Sequence, residues 1–402
     1  MLIISWKWFI AFIVIIIPSI FFFSLFNMSN PIKEINGNYK IVQVISSGYV
    51  IRDKYQKILI KSNEHFNIDD LVNIQTVNIE DVSLKKEKYN NYLRSLNIRY
   101  LATNSNLFKV NKKSSVRSKI INYFLVGPEF YVKYISLILI GKKNDLNQDL
   151  YEKVKHISVL HLFVISGFHI NLLMTIILFC LKKFKFKKIL RNMIGFTLVF
   201  LYLYILNFSL SSLRSFLFLF FCFVNKEFLK SKFQKIDVLS FIMLIIFSMN
   251  PYVVFSLSFI FTFSITFSIL FVSDIKNKKI KVPLIILFAY LSSVILSIYI
   301  NGWVNVLGFI NSIIFTPITI INYVVSFVCF PFKQFLNYYY IFLDWIINIF
   351  YKNSWVINVE VTTHFMTYYY SLLFFILSII KHYLVLKNGN IIIRKSLVLV
   401  NR

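Results

Sequence analysis

Apolar positions along this chain fall into two regimes. Between residues 36 and 85 they alternate with polar ones, as in Tyr39–Ile45, Tyr49–Arg52, Gln56–Lys61 and Asp70–Glu80. A period of two is that of half-buried strands, and four or five short strands in this space predict a small β-barrel of OB type. From Ile157 onward the apolar residues instead run together in stretches near the ~20 needed to cross a bilayer. The spans predicted there are Ile157–Leu181, Asn192–Ser209, Ser215–Asn225, Ile236–Met249, Val253–Val272, Pro283–Ile300, Val304–Phe330, Phe335–Phe350 and Phe365–Ile380. Gly308, Asn311 and Pro317 interrupt Val304–Phe330, which predicts a broken helix lining a cavity.

Two further segments complete the pattern. Trp8–Phe26 reads as an N-terminal anchor, because no small-residue cleavage site follows it. Residues 87–119 are polar and helical in flavour. Ile120–Ile140 is long and apolar but carries Gly127, Pro128, Glu129 and Lys133, which predicts amphipathic segments on the outer interface rather than a span. The fold class expected is an α-helical polytopic membrane protein of about ten spans, with a small extracellular OB-like β-barrel after the first.

Composition agrees: of 402 residues, 57% are hydrophobic and 15% charged, which excludes an ordinary soluble domain. The net charge of +27 points to anionic lipid or nucleic acid, but its placement explains much of it. Lys182–Arg191 carries six cations and Lys226–Lys235 and Lys276–Lys281 four each, whereas the connectors at Asn250-Pro251 and Asn301-Gly302 are nearly uncharged. That alternation is the positive-inside pattern. Arg94, Arg99, Lys109, Lys112, Lys113 and Arg117 fall on the opposite side, where retention inside does not explain them. They are candidates to attract phosphate, although a solvated charged face would look the same. Cys180, Cys222 and Cys329 lie in apolar spans without metal-ligand spacing, so neither a disulfide framework nor a metal site is expected, and no cofactor is implied.

The chemistry concentrates in Ile157–Leu181, where His161, Ser166, Gly167, His169 and Asn171 interrupt an apolar helix. Such groups are costly in hydrocarbon and normally face a bundle interior or a watery cavity. Gly167 would let another segment approach closely or let the helix break. Ser211, Ser212 and Arg214 at the head of a later span, with Asn311 in the interrupted one, complete a candidate channel lining. The same groups could equally be hydrogen-bonding between helices to fix their packing.

Leu160-His161-Leu-Phe-Val-Ile-Ser166-Gly167-Phe-His169-Ile170 resembles the signature "SHLLAISGLHV" of the ComEC family of competence proteins. Other motifs follow in the family's order. Tyr92–Ile98 is similar to its "YLRSQGI" element, Ile138–Lys142 to "LLLGD" and Ser209–Ser215 to "S-x-x-R-A". Asn250-Pro251 with Ser256–Phe259 resembles "NP…GFQLSF", without its glycine and glutamine, and Asn311 with Pro317 resembles "GLLANLLAVPL".

The resemblance implies a plasma-membrane channel that passes single-stranded DNA inward during natural transformation. Residues 1–29 would be the anchor, 30–86 the outer barrel, 87–156 an outer or interfacial helical segment, 157–380 the channel domain and 381–402 a cytoplasmic tail. Many family members also carry a metallo-β-lactamase-like domain. The six histidines here include no His-x-His pair, so no dinuclear metal hydrolase is expected in this chain. A separate nuclease, a DNA receptor and a cytoplasmic helicase or ATPase are then the implied partners, beside the strand and the lipid. Two other readings remain open: an intramembrane serine hydrolase using Ser166, and a transporter of another anionic substrate.

Overall fold

The computed structural model describes residues 35–359 apart from short stretches (46–47, 54–55, 63–65, 67–69, 76–77, 83–86, 104–105, 112–115, 143–144 and 274–277), together with Tyr369 and Leu372. The expected Trp8–Phe26 anchor, nearly all of Phe365–Ile380 and the 381–402 tail lie outside the described residues. The chain divides into two compact units, Met1–Val126 with Ser240–Ile260, and Gly127–Leu239 with Phe261–Arg402.

In the first unit, alternation does produce strands: β1 (Gly37–Ile45), β2 (Gly48–Asp53), β3 (Gln56–Ile60), β4 (Leu71–Gln75) and β5 (Asn78–Asp81). They do not close on themselves. Helix α1 (Glu87–Ser95) and two more strands, β6 (Ile98–Thr103) and β7 (Asn106–Asn111), follow, and the described strands form one open seven-stranded sheet in the order β5-β6-β3-β2-β1-β4-β7. The expected OB-type barrel is therefore corrected to an open sheet. Residues 87–119, read as helical in flavour, hold helix at both ends but β6 and β7 between them.

The reason lies in which faces are covered. Tyr49, Ile51, Ile58 and Ile60 pack with Ile41, Val72, Ile74 and Tyr100 on one face. Their neighbours Val50 and Leu59 pack on the other with Val82, Leu93, Ile98 and Leu101. Successive strand residues point to opposite faces, so β2 and β3 are buried on both, α1 contributing Leu93 to the second cover. Strand β6 runs parallel to β3, with Leu59 opposite Leu101. Gly48 opens β2 with φ at +144°, and a Cβ there would strike the Ile60 carbonyl.

The second unit is helical. It holds α2's successor α3 (Glu129–Ile138), which follows α2 (Val116–Leu125) of the first unit, then α4 (Gln148–His156), α5 (Leu160–Phe163), α6 (Gly167–Lys182), α7 (Lys188–Ile205) and α8 (Leu210–Glu227). Helix α9 (Lys235–Met249) leads into the first unit, and α10 (Leu257–Ser273) returns from it. Then come α11 (Lys278–Asn301), α12 (Gly308–Cys329) and α13 (Lys333–Lys352), with the short strands β8 (Trp303–Asn305) and β9 (Val356–Asn358) paired antiparallel.

Among the described residues, three stretches are long and apolar enough to cross a membrane: Leu160–Lys182, Lys188–Ile205 and Gly308–Cys329. Leu257–Val272 and Pro283–Tyr299 are apolar but shorter. Helix α12 runs through Pro317 without a break, against the expected broken helix. The residue lacks an N–H, and neighbouring hydroxyls supply local bonds, Thr316 to the Ser312 carbonyl at 2.6 Å and Thr319 to the Phe315 carbonyl at 2.9 Å. Residues 120–140 are split at Val126–Pro128 into the ends of two helices. The second half does not lie on a surface, however: residues 131–140 are all buried.

Candidate functional site

The signature segment is not one helix. Helix α5 stops at Phe163, residues 164–166 are extended, and α6 restarts at Gly167 with Ser166 as its N-cap. His169 occupies the third position of α6 and turns back on the cap. Its Nδ1 lies 3.1 Å from the Ser166 backbone N–H, which donates to it, and 3.1 Å from Ser166 Oγ. This is the reciprocal half of a capping box, with histidine where Glu or Gln is usual. Accepting that N–H requires Nδ1 to be unprotonated. The ring is buried and packs on Tyr323 of α12 with centroids 4.8 Å apart.

The gap in the helix is where α8 approaches. A Cβ on Gly167 would collide with Ser215 Oγ and come within 2.8 Å of Arg214 Nη2. Ser211 Oγ reaches the Ile165 carbonyl at 3.4 Å, a carbonyl the helix break has freed. Arg214 is 6% exposed. Its guanidinium donates to Thr266 Oγ1 of α10 and to Ser215 Oγ at 3.1 Å, and lies over the Phe263 ring. Its Nε is buried with no hydrogen-bond partner among the described residues. Ser212 is fully buried and donates to the Ser209 carbonyl at 2.8 Å.

Two further motifs close on the same segment. Asn311 of α12 donates to the Ile157 carbonyl at 3.1 Å, just before the signature. Gly308 at the head of α12 packs so closely that a Cβ would meet Ser158 Cβ at 2.9 Å. Gly141, at φ +66°, leaves room for Ile165, whose Cδ1 would lie 3.1 Å from an added Cβ. The structure thus brings Ser166, Gly167, His169, Ser211 and Arg214 together and joins Asn311 to the start of the segment. His161 and Asn171 are exposed. Sequence reasoning missed Ser158, Ser215, Thr266 and Tyr323, which are unremarkable until the helices pack.

The basic residues expected to attract phosphate have other surroundings. Arg94 Nη1 donates to the Tyr252 hydroxyl at 2.7 Å and stacks over that ring. Beside it, Asn250 Nδ2 donates to the Arg94 and Ser95 carbonyls at 3.0 and 3.1 Å, closing the C-terminus of α1. Arg99 lies 3.9 Å from Asp81, and Arg117 is buried. The side chains of Lys109, Lys112 and Lys113 lie outside the described residues.

A second buried polar cluster escaped the sequence reading although its signal was present. Lys133 of α3 and Asp344 of α13 are each a single charge in an apolar stretch, and their Nζ and Oδ1 are 2.9 Å apart. Tyr134 donates to the same oxygen at 3.1 Å and Asn348 to the other at 2.8 Å. Among the described residues, no group of three or more His, Cys, Asp or Glu side chains is arranged to hold a metal ion.

The sequence pattern of the competence protein family matches residues 138–386, which includes every element of the helical site. The chain belongs to that family. It is also 28% identical over 232 residues to Uncharacterized protein MG316 of Mycoplasma genitalium, covering 56% of this chain and 58% of the relative. A second relative, the MG316 homolog of Mycoplasma pneumoniae, is 27% identical over 207 residues, covering 50% and 52%. The chain thus spans little more than half the length of these relatives. No solved structure matches it significantly.

Proposed function

We propose that this protein serves DNA uptake as a membrane channel through which single-stranded DNA passes inward. Membership of the competence family over 138–386 is the observation that carries this reading. The interrupted signature helix supports it. A backbone break inside an apolar stretch is tolerated in a membrane only against protein or a water-filled space. Here it faces a buried arginine whose Nε has no hydrogen-bond partner among the described residues. A phosphodiester needs such donors, since each backbone charge is costly in hydrocarbon. His161 and Asn171, exposed near the break, are the groups of the segment that a passing strand would touch. The expected outer module, the basic residues 94–117 and the separate nuclease, receptor and ATPase belong to the same proposal. The test is internalisation of labelled DNA by cells expressing His169→Ala or Arg214→Ala. Uptake should fall at least tenfold at normal protein levels, and undiminished uptake contradicts the proposal.

One distance favours a second reading, a serine hydrolase, because Ser166 Oγ is within reach of His169 Nδ1. That nitrogen, however, already accepts the Ser166 N–H, which is a helix-capping task. A fluorophosphonate probe that labels the protein and fails to label Ser166→Ala would establish the hydrolase instead.

A further inference from the structure

The connector between α8 and α9 is a folded loop rather than a slack link. Lys230 and Ser231 both adopt left-handed backbone conformations, with φ of 51° and 59°. The buried Asn225 clips the loop at both ends of an amide. Its Nδ2 donates to the Phe233 carbonyl at 2.8 Å, and its Oδ1 accepts the Phe233 N–H at 3.2 Å. The Ser231 N–H returns to the Asn225 carbonyl at 2.8 Å.

Beneath this loop is a cleft of about 560 Å³ lined by Cys222, Asn225, Lys226, Ser231, Phe233, Gln234, Lys235, Ile236 and Leu270. Among the described residues, no carboxylate lines it. Two acids close in sequence are engaged elsewhere, Glu227 by Lys188 and Asp237 by the Gln234 N–H at 2.8 Å. That last bond occupies the N-terminus of α9, so the lysines rather than the helix end supply positive potential. Lys226 and Lys235 have no acidic partner among the described residues and are exposed, and the Ser231 and Gln234 side chains add neutral hydrogen-bonding groups. One wall is therefore cationic and donor-rich, and the other, from Cys222, Phe233, Ile236 and Leu270, is apolar.

We infer that this cleft binds the phosphate headgroup of an anionic membrane lipid, with the glycerol and first methylenes on the apolar wall. A free phosphate ion shares the headgroup's chemistry but gains nothing from that wall. The connector's excess of lysine fits the leaflet facing the cytoplasm, where anionic lipid concentrates and basic clefts between membrane helices take up headgroups. The inference needs only that the protein sits in a membrane; it does not rest on DNA transport.

The test uses the full-length protein in detergent, with thermal unfolding followed during titration. The ligands are dioleoylphosphatidylglycerol, dioleoylphosphatidylcholine, sodium phosphate and an oligothymidylate. Phosphatidylglycerol alone should stabilise the wild type. The double variant Lys226→Gln/Lys235→Gln should bind it more weakly by about fivefold for each lysine removed. Gln234→Glu, which places a carboxylate in the cleft, should weaken it comparably. Lys230→Gln/Lys232→Gln removes the same charge from the same connector outside the cleft and should bind like the wild type. Equal binding by all variants, or equal loss in both double variants, overturns the site. Equal protection by sodium phosphate replaces the lipid with the free ion, and protection by oligothymidylate replaces it with nucleic acid; either result overturns the lipid assignment.

Discussion

The Lys133 ammonium and the Asp344 carboxylate, 211 positions apart in the chain, lie 2.9 Å from each other with side chains only 10% and 11% exposed. They hold α3 against α13, and the Tyr134 and Tyr340 rings stack beside them with centroids 4.8 Å apart. Asp149 extends the pair toward solvent at 3.6 Å from Lys133. Breaking a buried pair leaves one charge stranded, at a cost of about 3–5 kcal/mol. Lys133→Met and Asp344→Leu should therefore each lower the unfolding temperature of the purified protein sharply. The double variant, which strands no charge, should recover much of that loss. A double variant as unstable as the sum of the singles would show that the two side chains act independently.

Gly167 tests the close approach of α8 to the break. Alanine there would drive its methyl into Ser215 Oγ and to 2.8 Å from Arg214 Nη2. Overpacking of this kind costs about 1–3 kcal/mol. Gly167→Ala should lower both stability and DNA uptake. Gly167→Ala/Ser215→Ala, which removes the obstructing hydroxyl and leaves Ser215 Cβ at 3.3 Å, should restore part of each. Thermal unfolding and uptake assays on the two variants decide the matter.

Much of this site was legible in the sequence, but its cause was not. Gly167 inside an apolar run left open either a close approach or a break, within a segment expected to be one span; the structure has both. What periodicity could not convey was long-range. Ile58-Leu59-Ile60 reads as a one-sided strand until β6 and α1 are seen to cover it from another part of the chain. Strands β6 and β7 are pinned by partners rather than by pattern, β6 lying parallel to β3 and β7 antiparallel to β4. Lys133 suggested an interfacial helix because its counter-charge is 211 positions away. Pro317 suggested a break, but α12 runs through it from Gly308 to Cys329.

Asn250 explains why an Asn-Pro pair and the Tyr92–Ile98 element belong together. Its amide serves two carbonyls at the end of α1, and its Oδ1 accepts the Tyr252 N–H at 3.0 Å. Leaving buried groups unpaired costs about 1–3 kcal/mol. Asn250→Ala should destabilise the first unit by that order and expose α1 to limited proteolysis. Asn250→Asp, which keeps the acceptor but loses the donor, should behave almost as badly. Wild-type resistance in both would contradict the capping role.

His156, outside the spans, gives the protein a pH dependence of known sign. Burial pushes its imidazole below the ordinary value, and its Nδ1 lies 3.0 Å from Ser354 Oγ. The folded state thus favours the neutral ring. Its contribution is complete above the unfolded value of about 6.5 and is lost as pH falls below it, because the unfolded chain then binds more protons. Unfolding temperatures measured from neutral to mildly acidic pH should fall more steeply for wild type than for His156→Gln. Parallel curves would remove His156 as a source of the dependence.

The central claim is that a single strand passes the broken signature helix. It is tested most directly by placing a cysteine at His161 or Asn171, in a chain whose own Cys180, Cys222 and Cys329 are replaced by alanine, and measuring its labelling by a membrane-impermeant thiol reagent. Both positions should label in water-accessible fashion and be protected when single-stranded DNA is held in transit. Labelling that ignores bound DNA, or no labelling from either side of the membrane, would contradict the account.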